Sequence, residues 1–354
     1  MKSHALLAAA FSILTIAADA CTLPVFRYAL DRWAPDAFHL KVSPEDAAKP
    51  EVAKFMRNFS AASALNLDIS RFQETPSRLL RPDSPINTPN PFWTGSITDP
   101  FLESLSKSEY RDEIVRRILA GDSAVFVLVE SEDAIADNKA AEALEKRLRF
   151  LQNVVQIPAA DPTDPSSKPG PGPELKVQFS VLRIPGRHTA PKIGSTTDNL
   201  LLQMLAGPKS GLEESTEPWV AAVFGRGRVL GAWPSPTFGD EQIEEVALFL
   251  AGACSCQVKR QNPGWDLLLH VDWDEALLAQ APPGSSLPAH ETKPKYSEPT
   301  PETVQINPSP APSVTPAPDS PPQTRRPSTG FAGILGAAFG IVAGVIIRKL
   351  RNRK

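Results

Sequence analysis

Cysteine is scarce in this chain: three residues, Cys21, Cys254 and Cys256, among 354. Three thiols cannot build a disulfide scaffold, so apolar packing must hold a folded body of this size together. Three is also odd, so at least one thiol must be free, lipidated or joined to another chain. Histidine is nearly as rare. The five are His4, His39, His188, His270 and His290, and none stands at metal or triad spacing. A Ser-His-Asp set, a P-loop and a dinucleotide fingerprint are all missing. An excess of one charge is missing too. Lys and Arg number 37 against 40 Asp and Glu, which leaves a net charge of −3. That balance gives no electrostatic case for nucleic acid. No cofactor and no metal are expected.

What is present begins at the two ends. Lys2, the apolar stretch Ala5 to Ala17 and the closing Ala18-Asp19-Ala20 have the form of a secretory signal over residues 1–20. At the far end, residues 329–347 contain the apolar and glycine run Phe331 to Ile347. Arg348, Lys349, Arg351, Arg353 and Lys354 follow it, and basic residues resist translocation. The expectation is a single-pass membrane protein with its body exported and residues 348–354 in the cytoplasm. Gly336, Gly340 and Gly344 recur every fourth residue and so share one helix face. Such a face permits close helix approach and possible self-association. Between body and membrane, residues 281–328 are rich in proline, serine and threonine and read as a disordered, extended stalk.

The remaining body is predicted to be α/β and divides near Gly121, into residues 21–120 and 121–280. In the second part, Ala124 to Glu130 is a continuous apolar run, as in a strand buried on both faces. A helix is expected over Asn138 to Val154 and a strand over Leu175 to Ile184. A short helix capped by Asp198 ends near Leu205. Pro218 stands before the strand Trp219 to Phe224, which turns at Gly225-Arg226-Gly227 into Arg228 to Trp233. Gly239-Asp240 opens the last helix. The order is β-α-β-α-β-β-α.

This order, with a proline directly before the third strand and a tight hairpin after it, resembles the thioredoxin fold. The resemblance implies a cis peptide at Pro218, facing the place where that family carries C-x-x-C. Here that place holds Ser131-Glu132-Asp133-Ala134, so the family's catalytic pair is absent there. The first part looks like a second, degenerate copy that lacks its first strand. It has helices at Phe26 to Trp33, Pro50 to Ala62 and Asp99 to Leu119. Its strands fall at Phe38 to Val42, Leu67 to Ile69, Ser77 to Leu80 and Pro91 to Ile97, with Pro76 before the third. Its opening, Cys21 to Trp33, is also similar to the start of a family of exported bacterial proteins of unknown function.

The cysteines are the candidate catalytic residues. Cys21 precedes a helix, where the dipole favours a thiolate, and Pro24 suits the first turn. Cys21-x-x-Pro24 resembles C-x-x-C without its resolving thiol. Cys254 and Cys256 form a C-x-C whose own disulfide would be tight and easily reduced. A bridge from one of them to Cys21 is the other pairing open. Gly225-Arg226-Gly227-Arg228 lies between strands and so reads as a hairpin turn rather than a phosphate loop. The cluster Trp265, Asp266, His270, Asp272, Trp273 and Asp274 reads as a final strand and cap. Two functions follow: a binding or scaffold module without catalysis, or a thiol–disulfide oxidoreductase using Cys21 or Cys254 and Cys256.

Overall fold

A computed structural model of the chain describes residues 22–59, 64–82, 91–187, 196–208, 211–254 and 258–290. The expected signal, stalk residues 291–328, the membrane segment with Gly336, Gly340 and Gly344, and the basic tail lie outside the described residues. So do Cys21 and Cys256. Residues 281–290, read as the start of the stalk, instead pack on the body through Leu287 and the His290–Asp274 pair. The described residues fall within one compact unit, mixed α/β, organised around two sheets.

Helix α1 (Val25–Arg32) is followed by strand β1 (Phe38–Val42), helices α2 (Pro44–Ala47) and α3 (Pro50–Asn58), and strands β2 (Leu67–Arg71), β3 (Ser77–Leu80) and β4 (Pro91–Gly95). Helices α4 (Asp99–Ser106) and α5 (Glu109–Leu119) close this half. The sheet order is β2-β1-β3-β4. Strand β1 runs parallel to β2 and antiparallel to β3, and β3 runs antiparallel to β4. Polar caps set the helix starts. Ser43 accepts from the Asp46 amide ahead of Pro44, and Thr98 and Ser108 cap α4 and α5 in the same way. The cap at Ser108 splits the single helix expected over Asp99 to Leu119 into two. Arg111 secures the break, since its guanidinium donates to the carbonyls of Ser104, Leu105 and Lys107 at the end of α4.

The second half contains β5 (Ala124–Glu130), α6 (Ala134–Val154), β6 (Phe179–Pro185), α7 (Thr196–Ala206), β7 (Trp219–Phe224), β8 (Arg228–Pro234), α8 (Asp240–Ala251), β9 (Trp265–Asp266) and α9 (Trp273–Leu278). Its sheet order is β6-β5-β7-β8-β9. The same relations recur: β5 is parallel to β6 and antiparallel to β7, and β7 is antiparallel to β8. The apolar run of β5 divides by alternation, because successive strand residues point to opposite faces. Val125, Val127 and Val129 join a core shared with β1, β3, α4 and α5. Ala124, Phe126 and Leu128 face a second core built with α6 and α8. One sheet face therefore carries each core, which explains why β5 tolerates no polar residue before Glu130.

Two placements differ from the sequence reading. Helix α1 was expected to belong with the first half. Its residues Val25, Phe26, Tyr28 and Ala29 pack instead in the core of α6 and α8. The cis peptide expected at Pro218 is also corrected. Among the described residues the cis bond is Thr75–Pro76, directly before β3. Strand β1 is present between β2 and β3, and it is the link Phe72 to Pro76, between β2 and β3, that holds no helix.

Candidate functional site

In each half a turn follows the first strand of the sheet in chain order, Ser43 to Asp46 after β1 and Ser131 to Asp137 after β5. In the first half, β1 ends at Val42 and the turn is Ser43-Pro44-Glu45-Asp46. Ser43 and Asp46 are both buried. The Ser43 amide donates to Ser77 Oγ at 2.9 Å, and Ser77 Oγ donates to Asp46 Oδ2 at 2.5 Å. Ser77 is the first residue after the cis Thr75–Pro76 bond, so β3 begins by closing on this turn. Ser96 Oγ donates to Asp46 Oδ1 at 3.0 Å, and Lys49 Nζ lies 2.7 Å from the same oxygen. Burial works against ionisation of Asp46. The hydrogen bonds from Lys49, Ser77, the Ile97 backbone and Ser96 outweigh it and hold the carboxyl down at about 2.

The second half repeats the arrangement with different spacing. Strand β5 ends at Glu130, and the Ser131 amide and hydroxyl both donate to Asp137 Oδ1 at 2.8 Å. Asp137 stands one turn into α6, and both residues are buried. Asp133 caps α6 by accepting from the amides of Ile135 and Ala136. Trp219, at the start of β7, lies opposite Val129, so Pro218 borders this turn as Pro76 borders the other. A nucleophilic serine needs a general base on its hydroxyl and access to substrate. Ser43 is 1% exposed and Ser131 is 4% exposed, and a carboxylate holds each in place. These hydroxyls are structural.

Of the three candidate cysteines, only Cys254 lies among the described residues. Helix α8 ends at Ala251, and the chain then pairs with the segment before α1. Pro24 faces Ala253 in an antiparallel bridge. Cys254 N donates to the Leu23 carbonyl at 2.9 Å, and Val25 N donates to the Gly252 carbonyl at 3.0 Å. The Cys254 side chain is 1% exposed, in the core of α1, α6 and α8. Thiol exchange requires access to the attacked disulfide, and this position does not provide it.

The other motifs are absorbed into the fold. Gly225-Arg226-Gly227 is the hairpin turn between β7 and β8. Gly225 and Gly227 have φ of 57° and 85°, a conformation that favours glycine. Arg226 Nε donates to the Leu30 carbonyl at 2.7 Å, and its Nη1 pairs with Asp274 at 2.7 Å. Arg228 donates to the carbonyls of Pro263 and Gly264 and pairs with Asp266. Neither arginine is offered to a phosphate. Trp265 and Asp266 form β9, and the Trp265 indole N–H donates to the Met204 carbonyl at 2.7 Å. A cavity of about 510 Å³ lies between Pro169–Leu175 and Gln280–Pro282. The one charged group lining it that is deeply buried, Arg27, is committed to the Gly170 and Pro173 carbonyls and to Asp31. Among the described residues no group of three His, Cys, Asp or Glu could hold a metal ion, and no helix is long and apolar enough to cross a membrane.

Sequence reasoning missed the Ser43–Asp46–Ser77 knot. The available signal was Ser-Pro-x-Asp directly after a strand, a capped helix start, together with a proline before the partner strand. Comparison with family models, with curated proteins and with solved structures finds no match for this chain.

Proposed function

We propose that this chain is an exported, membrane-held binding or scaffold module built on two thioredoxin-like halves without thiol chemistry. The observation that carries the reading is the pair of turns after β1 and β5. Each bears a serine whose hydroxyl donates to a buried aspartate, Ser43 to Asp46 and Ser131 to Asp137, where an oxidoreductase of that fold needs its cysteines. Support for the fold itself comes from the strand relations shared by the two sheets, with the inner strand parallel to one neighbour and antiparallel to the other. On this reading the first half lacks the helix between its second and third strands rather than its first strand. Residues 1–20 direct export, 329–347 hold the chain in the membrane, and Gly336, Gly340 and Gly344 supply a face for self-association. The proline-rich stalk lets the body reach a protein partner away from the bilayer.

The competing reading is a thiol–disulfide oxidoreductase working through Cys21 or through Cys254 and Cys256. Insulin reduction by the full chain with a dithiol reductant separates the two. The expected result is a rate no greater than that of the reductant alone. Turnover that survives replacement of both Cys254 and Cys256 by serine would overturn the proposal and assign catalysis to Cys21. Turnover lost on Cys256→Ser would overturn it in favour of the C-x-C pair.

A further inference from the structure

Helices α6 and α8 lie side by side over the sheet face that carries Ala124, Phe126 and Leu128. Their inner faces fill that core, with Leu144, Leu148 and Leu151 from α6 and Ile243, Ala247 and Leu250 from α8. The outer side of the pair is apolar at one place. Phe150 is 52% exposed, Val154 50% and Leu248 51%. Phe150 and Val154 are four residues apart on α6 and so share a stripe. Arg147 joins that stripe to α8. Its guanidinium lies 5.2 Å from the centre of the Phe150 ring, donates to Glu244, and stands 3.9 Å from Asp240. Leu248 is one turn beyond Glu244 on the same side of α8. The three apolar side chains therefore border one helix junction. A single exposed apolar side chain is ordinary, whereas a cluster rimmed by charge is a surface fit for a partner.

The rim is sorted by sign. Outward on α6, in line with Phe150, stand Lys139 and Lys146, with Glu142 to one side. Outward on α8, beside Leu248, stand Glu241 and Glu245, and α8 contains no lysine or arginine. The two helices run parallel, since each returns from a strand, β5 or β8, and both strands point the same way. Lys146 is thus level with the first turns of α8, and Phe150 is level with its later part. We propose that this face docks a second copy of the chain, in a two-fold pair whose axis runs along the helices, so that α6 of each copy covers α8 of the other. A two-fold contact sets one patch against itself. With this axis, Lys146 of one copy meets Glu245 of the other, and Phe150 and Val154 meet Leu248. With the axis across the helices, α8 would meet α8 and oppose its glutamates to their own copies, which like-charge repulsion disfavours. Three half-exposed side chains per copy make a contact at the small end of interface sizes, so the pair is weak and reversible. The inference rests neither on the thioredoxin-like reading nor on the glycines of the membrane segment.

The full chain, purified in a nonionic detergent as a mixture of unlabelled and heavy-nitrogen protein, tests it. A carbodiimide joins lysine amines to carboxylates in contact, and the isotopes show which links run between copies. The expected product is an isotopically mixed link from Lys146 to Glu241 or Glu245, which association through the membrane segment alone would not give. Leu248→Asp should cut the yield of that link about tenfold. Lys146→Glu should abolish it, and Lys146→Glu combined with Glu245→Lys should restore a mixed link between positions 146 and 245. Links confined to single chains would overturn the proposal and leave the face to a different protein. Mixed links from Lys146 to Glu142, or a yield unchanged by Leu248→Asp, would overturn it as well. The wild-type link pattern keeps the test decisive if a variant fails to fold.

Discussion

Replacing Asp46 by asparagine should destabilise the protein by about 2–4 kcal/mol at pH 7. The carboxylate accepts from Ser77, Ser96 and Lys49 in a buried turn, and hydrogen bonds to a charged group contribute roughly 1.5–3 kcal/mol each. Full loss of a buried ion pair costs about 3–5 kcal/mol. The Lys49 side chain, however, is 32% exposed, so its ammonium returns to water and the cost stays below the top of that range. An asparagine oxygen also keeps one acceptor near Ser77. The pH dependence gives a sharper check. In the folded protein Asp46 titrates at about 2, below its ordinary value of 3.8. A depressed carboxyl contributes stability that is fully present above 3.8 and is lost as pH falls toward 2. The gap between the two values corresponds to about 2 kcal/mol. Urea unfolding of wild type and Asp46→Asn at pH 7, 5, 3.5 and 2.5 should therefore show a midpoint difference that is constant down to pH 5 and shrinks below 4. The slope m should be unchanged. A difference under about 0.5 kcal/mol at pH 7, or one that does not shrink in acid, would refute the account of the knot.

Two further outcomes are expected. Gly227→Ala should cost about 2 kcal/mol or more in thermal or urea unfolding, because φ there is 85° and a Cβ would sit 2.2 Å from Leu269 Cδ1; a loss under about 0.5 kcal/mol would refute the account of the turn. A reporter active only outside the cytoplasm should work when fused at residue 300 and stay silent at residue 354, as the basic tail requires, and equal activity at both sites would refute the proposed topology.

The parts of this fold that were legible in the sequence are those fixed by local chemistry. Ala124 to Glu130 could be read as a two-sided strand because nothing in it tolerates water. The hairpin at Gly225–Gly227 could be read because positive φ needs glycine. What failed was partner choice. The stripe Phe26, Ala29 and Leu30 shows that α1 has an apolar face, but an apolar face carries no address. Sequence order suggested the first sheet, while Pro24 pairs with Ala253 and Phe26 and Ala29 pack in the core of α6 and α8, with Leu30 in the core that includes β1. The break at Ser108 was hidden for a related reason. The periodicity on either side of it is helical, and the Arg111 side chain that satisfies the carbonyls of Ser104, Leu105 and Lys107 is apparent only in three dimensions.

The candidate site shows the same limit more sharply. Attention to cysteine pointed to Cys254, which the fold places inside a core. The turns after β1 and β5 carry serine and aspartate, residues common in any helix cap. Ser43 with Asp46 resembles an ordinary cap until Ser77 and Ser96 arrive from two other segments to share the same carboxylate. A thiol pair at such a turn must be reachable by a substrate disulfide. The Asp46 carboxylate is instead 2% exposed and shared among several donors, so the turn that carries it is enclosed. The two conditions conflict, so a turn built as this one is built gains rigidity and gives up exchange chemistry. That conflict ties the acid dependence expected for Asp46→Asn to the absence of turnover expected in the insulin assay.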